Sequence, residues 1–131
     1  MMHHLNLGMD KQKSLTLNSW LSLRRLIDMT SADTDYGRLD DRSQRILDWV
    51  LQAQDSRKAM FVQDVVTGSG VASPATVHKC LAILDRTGFL TFTIDPEDSR
   101  RRIVSPTDKA QKTYKDLSVR VDRWTRGQAK A

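Results

Sequence analysis

The sequence predicts a mainly α-helical protein with a small β-hairpin: a winged helix-turn-helix domain flanked by N- and C-terminal helices. Three observations predict it. Ser73-Pro74 opens a short amphipathic helix and Gly88 closes it. Ahead of that helix, Val62, Val65 and Val66 mark a shorter one that leads into the turn Thr67-Gly68-Ser69-Gly70. Behind it, an alternating strand and a turn run into a return strand that starts Arg100-Arg101-Arg102. Short helix, turn, capped helix, hairpin is the order of a winged DNA-binding plan. In that plan the second helix enters the major groove and the hairpin flanks it.

The second helix is defined at both ends. The Ser73 hydroxyl suits a free backbone amide of the first turn. Pro74 at the first helical position loses a donor that had no partner. Gly88 takes the left-handed conformation without steric cost, which stops the helix. Val77, Leu81 and Leu84 recur at spacings of four and three, so they share one face. Ile83 widens that face, and Cys80 sits near its edge as a packing cysteine. Ala75, Thr76, His78, Lys79 and Ala82 point elsewhere. Small, hydroxyl and basic groups suit a face that meets base edges and phosphates. An ordinary solvated face would look the same on this helix alone.

The hairpin adds a second reason. Leu90, Phe92 and Ile94 alternate with Thr91 and Thr93, the pattern of a half-buried strand. Asp95-Pro96-Glu97-Asp98-Ser99 carries proline and side chains that bond their own backbone. Three successive arginines, Arg100 to Arg102, repel one another and need a counterpart. Either they pair locally with Asp95, Glu97 and Asp98, or they meet phosphate or a narrow minor groove, where the potential is most negative.

Asp98-Ser99-Arg100, continued by Arg101-Arg102-Ile103-Val104-Ser105-Pro106-Thr107-Asp108-Lys109-Ala110, resembles the wing of the MarR family of transcription regulators. That wing carries an Asp-x-Arg motif, a strand and a Leu-Thr-x-x-Gly-like start to the next helix. Here Pro106-Thr107 stands for Leu-Thr, and Ala110 for the glycine. The helix from Ser73 to Gly88 and its exit, Leu84-Asp85-Arg86-Thr87-Gly88-Phe89-Leu90, are also similar to the family's. The match covers roughly residues 40–115. The resemblance implies DNA binding, a homodimer built through the terminal helices, and a small-molecule effector as a further partner.

The chain has 131 residues, one domain by length, with a formal charge of +5 and a pI near 9.7. That balance favours an acidic partner, nucleic acid before a membrane surface. A single cysteine excludes an internal disulfide and fits a reducing cytoplasm. No apolar run approaches the roughly 18 residues that span a bilayer. Met1-Met2-His3-His4 has no signal-peptide pattern, and two adjacent histidines without further ligands do not make a metal site.

The division expected along the chain is a flexible tail over 1–13, a packing or dimerisation helix and linker over 14–39, the winged domain over 40–105 and a C-terminal helix over 106–131. Ser14 or Thr16 is the expected cap of the first helix. Its apolar set is Leu17, Trp20, Leu21, Leu23, Leu26 and Ile27, too many for an unaccompanied surface helix. Residues 41–55 form the first winged helix, with Asp41 and Gln44 as a cap pair. Ala59-Met60-Phe61 is a small strand beside the wing. In the last helix Ala110, Tyr114, Leu117, Val121 and Trp124 recur at four, three, four and three, a heptad seam. The seam covers the domain's own core, pairs with the 14–30 helix, or pairs with a second copy.

No catalytic constellation is present: His78 is the only internal histidine, and Gly68-Ser69-Gly70 is too short to cradle a phosphate. The expected function is sequence-specific double-stranded DNA binding without cofactor or metal. Ser73, Ala75, Thr76, His78, Lys79, Arg100 and Arg101 are the expected contacts, and Asp98 orients Arg100. Trp20, Leu21, Ile27, Tyr114, Leu117, Val121 and Trp124 are the expected dimer residues. The alternative is a winged protein-interaction module or a replication-initiation accessory protein of a mobile element.

Overall fold

A computed structural model describes the backbone of residues 7–130 and the side chains of residues 18–127. Helix α1 (Leu7–Ser31) comes first. It starts well before Ser14 and Thr16, which lie inside it, so half of the stretch expected to be a loose tail is helical. Residues 1–6, with His3 and His4, lie outside the described residues. Along α1, Trp20, Leu21, Leu23, Ile27 and Met29 are exposed, while the helix packs on the C-terminal helix α5 (Asp108–Lys130). Arg120 of α5 reaches the end of α1, donating to the Thr30 carbonyl at 2.6 Å beside Asp33 at 3.3 Å. A cation at a helix C-terminus satisfies a free carbonyl and opposes the helix dipole.

The joint after α1 is tight. The Ser31 carbonyl accepts from the Thr34 amide at 3.0 Å and the Thr34 hydroxyl at 2.6 Å. A Cβ on Gly37 would lie 1.9 Å from that same carbonyl oxygen. Backbone, not a flexible side chain, occupies the space, so Gly37→Ala is expected to displace the loop and cost roughly 1–3 kcal/mol or more. Urea unfolding would measure it, and a loss below about 0.5 kcal/mol, an ordinary surface effect, would show that the loop does not close on Ser31.

Helix α2 (Asp41–Ala53) is capped by Asp40, one residue earlier than expected. The Asp40 carboxylate accepts from the Ser43 amide at 3.2 Å and its hydroxyl at 2.6 Å. The Ser43 hydroxyl chiefly holds the Asp40 carboxyl below the usual range. Gln44, expected to complete the cap, instead donates to the carbonyls of Tyr36 and Leu39. Ile46, Leu47 and Val50 are fully buried on one side of the helix.

Strand β1 (Met60–Phe61) leads into helix α3 (Val62–Gly68), then helix α4 (Pro74–Arg86). Strands β2 (Leu90–Ile94) and β3 (Arg102–Pro106) form the hairpin. The antiparallel sheet has the order β1-β3-β2, with Val104 facing both Met60 and Phe92. β3 starts at Arg102, not Arg100 as expected. The Asp95 amide donates to the Arg101 carbonyl at 3.0 Å and the Arg101 amide to the Asp98 carbonyl at 3.0 Å. Those bonds close the loop on residues 95–101, leaving Arg100 and Arg101 in the turn.

α4 ends as its glycine predicts. Gly88 has φ +84°, the Phe89 amide donates to the Leu84 carbonyl at 2.9 Å, and the Gly88 amide donates to Asp85 at 3.0 Å. This is a Schellman closure, and its apolar pair, Phe89 and Leu84, is fully buried. Thr107 then joins the parts. Its hydroxyl donates to the Gly88 carbonyl at 2.6 Å and accepts from the Ala110 amide at 3.1 Å, which caps α5.

The heptad seam of α5 divides. Ala110 is fully buried in the winged core and Tyr114 packs against it, while Trp124 shares a groove with Leu26 and Met29 of α1. Tyr114, expected on a dimer face, is therefore turned inward. Its hydroxyl and that of Tyr36 both donate to the Asp48 carboxylate, and the two rings meet edge to face at 5.6 Å. No helix among the described residues is long and apolar enough to cross a membrane.

Candidate nucleic-acid interface

The site is built on α4 and the wing. Ser73 caps α4, its hydroxyl accepting from the Thr76 amide at 3.4 Å and donating to the Thr76 hydroxyl at 3.1 Å. Val77, Cys80, Leu81 and Leu84 are buried and hold the helix on α2, α3 and β2. Cys80 is a free, buried thiol, as a packing cysteine should be. The opposite face leaves Ser73, Ala75, His78 and Lys79 exposed, with Thr76 half-buried at its edge. In the turn before α4, Gly70 has φ +65°, a left-handed position that glycine adopts freely.

In the wing, Asp98 organises Arg100. The Asp98 carboxylate accepts from Arg100 Nε at 3.0 Å, Nη2 at 3.2 Å and the Arg100 amide at 3.1 Å. These bonds hold the Asp98 carboxyl below its usual range, the Arg100 side chain contributing most. The Arg100 side chain is 88% exposed, so its position is set while its outer face stays open. Arg101 is placed differently: its Nη2 meets the buried carboxylate of Asp95 at 2.7 Å, and its guanidinium lies 4.3 Å from the Phe61 ring centre. Arg102 is exposed, 5.3 Å from the ring centre of Phe92.

A cleft between helix and wing is lined by Phe61, Val62, Gln63, His78 and the three arginines 100–102. The fold thus brings His78 to the wing arginines across more than 20 positions of sequence. Gln63 and Arg102 were not among the residues expected from sequence. Arg102 had a signal, the arginine run itself. Gln63 had none, because only the packing of α3 under α4 brings its first turn to the cleft. Among the described residues no cluster of three or more His, Cys, Asp or Glu is arranged to hold a metal ion.

Solved structures share this fold. A MepR variant from S. aureus, solved with a bound oligodeoxyribonucleotide, superposes with a TM-score of 0.76 at 15% identity, covering 91% of this chain and 82% of that one. An S. aureus MepR–DNA complex gives 0.70 at 16% identity, with 88% and 89% covered. The chain has the MarR-type winged helix fold. MarR itself gives a TM-score of 0.56 at 20% identity, with 87% of this chain and 77% of that one covered. No protein-family model and no curated protein matches the sequence. In the MarR-type fold α3 and α4 are the helix-turn-helix, and the loop 95–101 is the tip of the wing.

Proposed function

We propose that this protein is a non-catalytic, sequence-specific double-stranded DNA-binding regulator of the MarR type, acting as a homodimer. The observation that carries the reading is the single cleft where the open face of α4, with His78, meets the wing arginines. The DNA-bound MepR structures of the same fold support it, as does the net charge of +5. α4 enters the major groove. Lys79 and Ser73 hold phosphate, while His78, Ala75 and Thr76 meet base edges. Arg100, pre-set by Asp98, reaches the minor groove or its phosphates.

The homodimer places two α4 helices in successive major grooves, about one helical turn apart. Trp20, Leu21, Ile27 and Val121 are the exposed apolar groups offered to the second copy. Leu117 and Trp124, half-buried on the same helix as Val121, complete the proposed set.

Fluorescence anisotropy against a random-sequence duplex pool, with excess nonspecific competitor and at several salt concentrations, tests the reading. A palindromic sequence that survives competitor, bound by two chains, is the expected result. Binding that vanishes with salt and enriches no sequence would reduce the protein to a basic winged domain. Arg100→Ala is expected to weaken binding of the selected duplex roughly tenfold per wing. The slope of log K against log salt should also flatten, by about 0.9 for each wing engaged. An unchanged affinity and slope would remove the wing from the interface.

A further inference from the structure

The wing holds neighbouring arginines in opposite situations. The Arg100 side chain is 88% exposed and bonded to a carboxylate at the surface. The Arg101 side chain is 47% exposed, and its partner, the Asp95 side chain, is only 7% exposed. Asp95 also accepts from the Glu97 amide at 3.1 Å. Residues 95 and 101 are bridged a second time through the backbone, at 3.0 Å. The two bridges close the loop that carries Asp98 and Arg100.

On its other side Arg101 leaves the wing. Its guanidinium stacks on Phe61, 4.3 Å from the ring centre. Phe61 pairs with Ile103 in the sheet and stands at the start of α3, where its amide donates to Asp64 at 2.9 Å. Arg101 therefore ties the wing tip to the first helix of the helix-turn-helix. To reach a phosphate it would have to leave Asp95 as a buried, unpaired carboxylate and lose the ring, a costly exchange.

We propose that Arg101 is the positioning residue of the wing: held between Asp95 and Phe61, it sets where Arg100 stands relative to α4. This rests on the DNA-binding reading above. Lysine would keep the charge but not this placement, because the guanidinium carbon lies over the Phe61 ring while Nη2 reaches Asp95, two positions that one ammonium nitrogen does not fill together.

The decisive variant is Asp95→Asn, read by anisotropy on the duplex selected from the random pool. It removes a negative charge from the wing and frees a cation, so long-range electrostatics alone would tighten binding. A positioning role requires the opposite: binding weaker by several-fold, with the salt slope falling towards that of Arg100→Ala. Arg101→Lys is expected to weaken binding as much as Arg101→Ala. In an Arg100→Ala background neither Asp95→Asn nor Arg101→Ala should weaken binding further. Tighter binding by Asp95→Asn, wild-type affinity in Arg101→Lys, or additive losses from Arg100→Ala and Arg101→Ala would make Arg101 an independent DNA contact and overturn the assignment. Failure of the unaltered protein to bind any duplex would overturn the DNA-binding reading itself, and the role of Arg101 with it.

Discussion

Replacing Phe89 by alanine is expected to destabilise the protein by about 3–5 kcal/mol. Phe89 is among the largest fully buried side chains of the described residues. It stands where α4, the sheet and α5 meet. Its amide closes α4 on Leu84, and its carbonyl accepts from the Thr107 amide at 3.1 Å. The Lys109 ammonium lies 4.7 Å from the centre of the ring. The same ammonium donates to the Thr87 carbonyl at 2.7 Å and pairs with Asp35 at 2.9 Å. Alanine keeps the backbone bonds but leaves a void under three elements that cannot all move inward. A domain of this size has roughly 5–15 kcal/mol in total, so the loss takes about a fifth of its stability at the least and most of it if the total is near the lower end. Urea unfolding should show a lower midpoint at an unchanged m-value. A loss under about 1 kcal/mol would mean that the ring is not at the centre of the core. Phe92, half-buried on the hairpin, serves as the internal comparison and should lose less.

Asp48→Ala is expected to cost about 2–3 kcal/mol, although Asp48 lies on a partly open surface. A hydrogen bond to a charged group contributes about 1.5–3 kcal/mol, and Asp48 accepts from both Tyr36 and Tyr114. Water replaces part of what is lost at a half-exposed site, which holds the estimate near the lower end. The pair also marks the alkaline limb of stability. Burial first, and the Asp48 charge second, push the Tyr36 phenol well above its usual range. Burial and the hydrogen bond to Asp48 do the same to Tyr114. A phenol whose pKa is raised on folding contributes fully below the unfolded value, about 10. Above that pH the unfolded chain ionises first, and the contribution is lost as pH rises towards the folded value. Unfolding midpoints taken from pH 8 to pH 11 should therefore fall beyond about pH 10. Tyr36→Phe and Tyr114→Phe should each flatten that fall. An equally steep fall in the double variant would place the alkaline loss elsewhere.

Much of the winged unit was legible because its signals are local. Ser73, Pro74 and Gly88 bound α4 through the geometry of single backbone positions, and each does so in the fold. The alternation from Leu90 to Ile94 appears as β2. Boundaries failed where a neighbour outside the pattern decided them. Asp40 caps α2 in place of Asp41, because its carboxylate takes both the amide and the hydroxyl of Ser43, while Gln44 is drawn to the Tyr36 and Leu39 carbonyls. β3 loses Arg100 and Arg101 to the turn because backbone bonds at Asp95 and Asp98 close it there. α1 reaches back to Leu7 past the hydroxyls that seemed to start it.

The candidate site divides in the same way. Helix periodicity already separated His78 and Lys79 from Val77 and Leu81, since 3.6 residues per turn assigns faces without any partner. The Asp98–Arg100 pair is two residues apart and equally readable. The separate roles of Arg100 and Arg101 are not, because adjacent arginines in a turn carry no period. Only the burial of Asp95 and the nearness of Phe61, 40 positions away in sequence, tell them apart. Tyr36, Asp48 and Tyr114 likewise meet across separations of 12 and 66 residues. The sequence by itself determined the elements, their faces and the winged class, because backbone conformation and hydrophobic period are short-range properties. Tertiary structure alone decided which charges are spent inside the protein and which stay open to a partner, because desolvation and pairing depend on what the rest of the chain brings within a few ångströms.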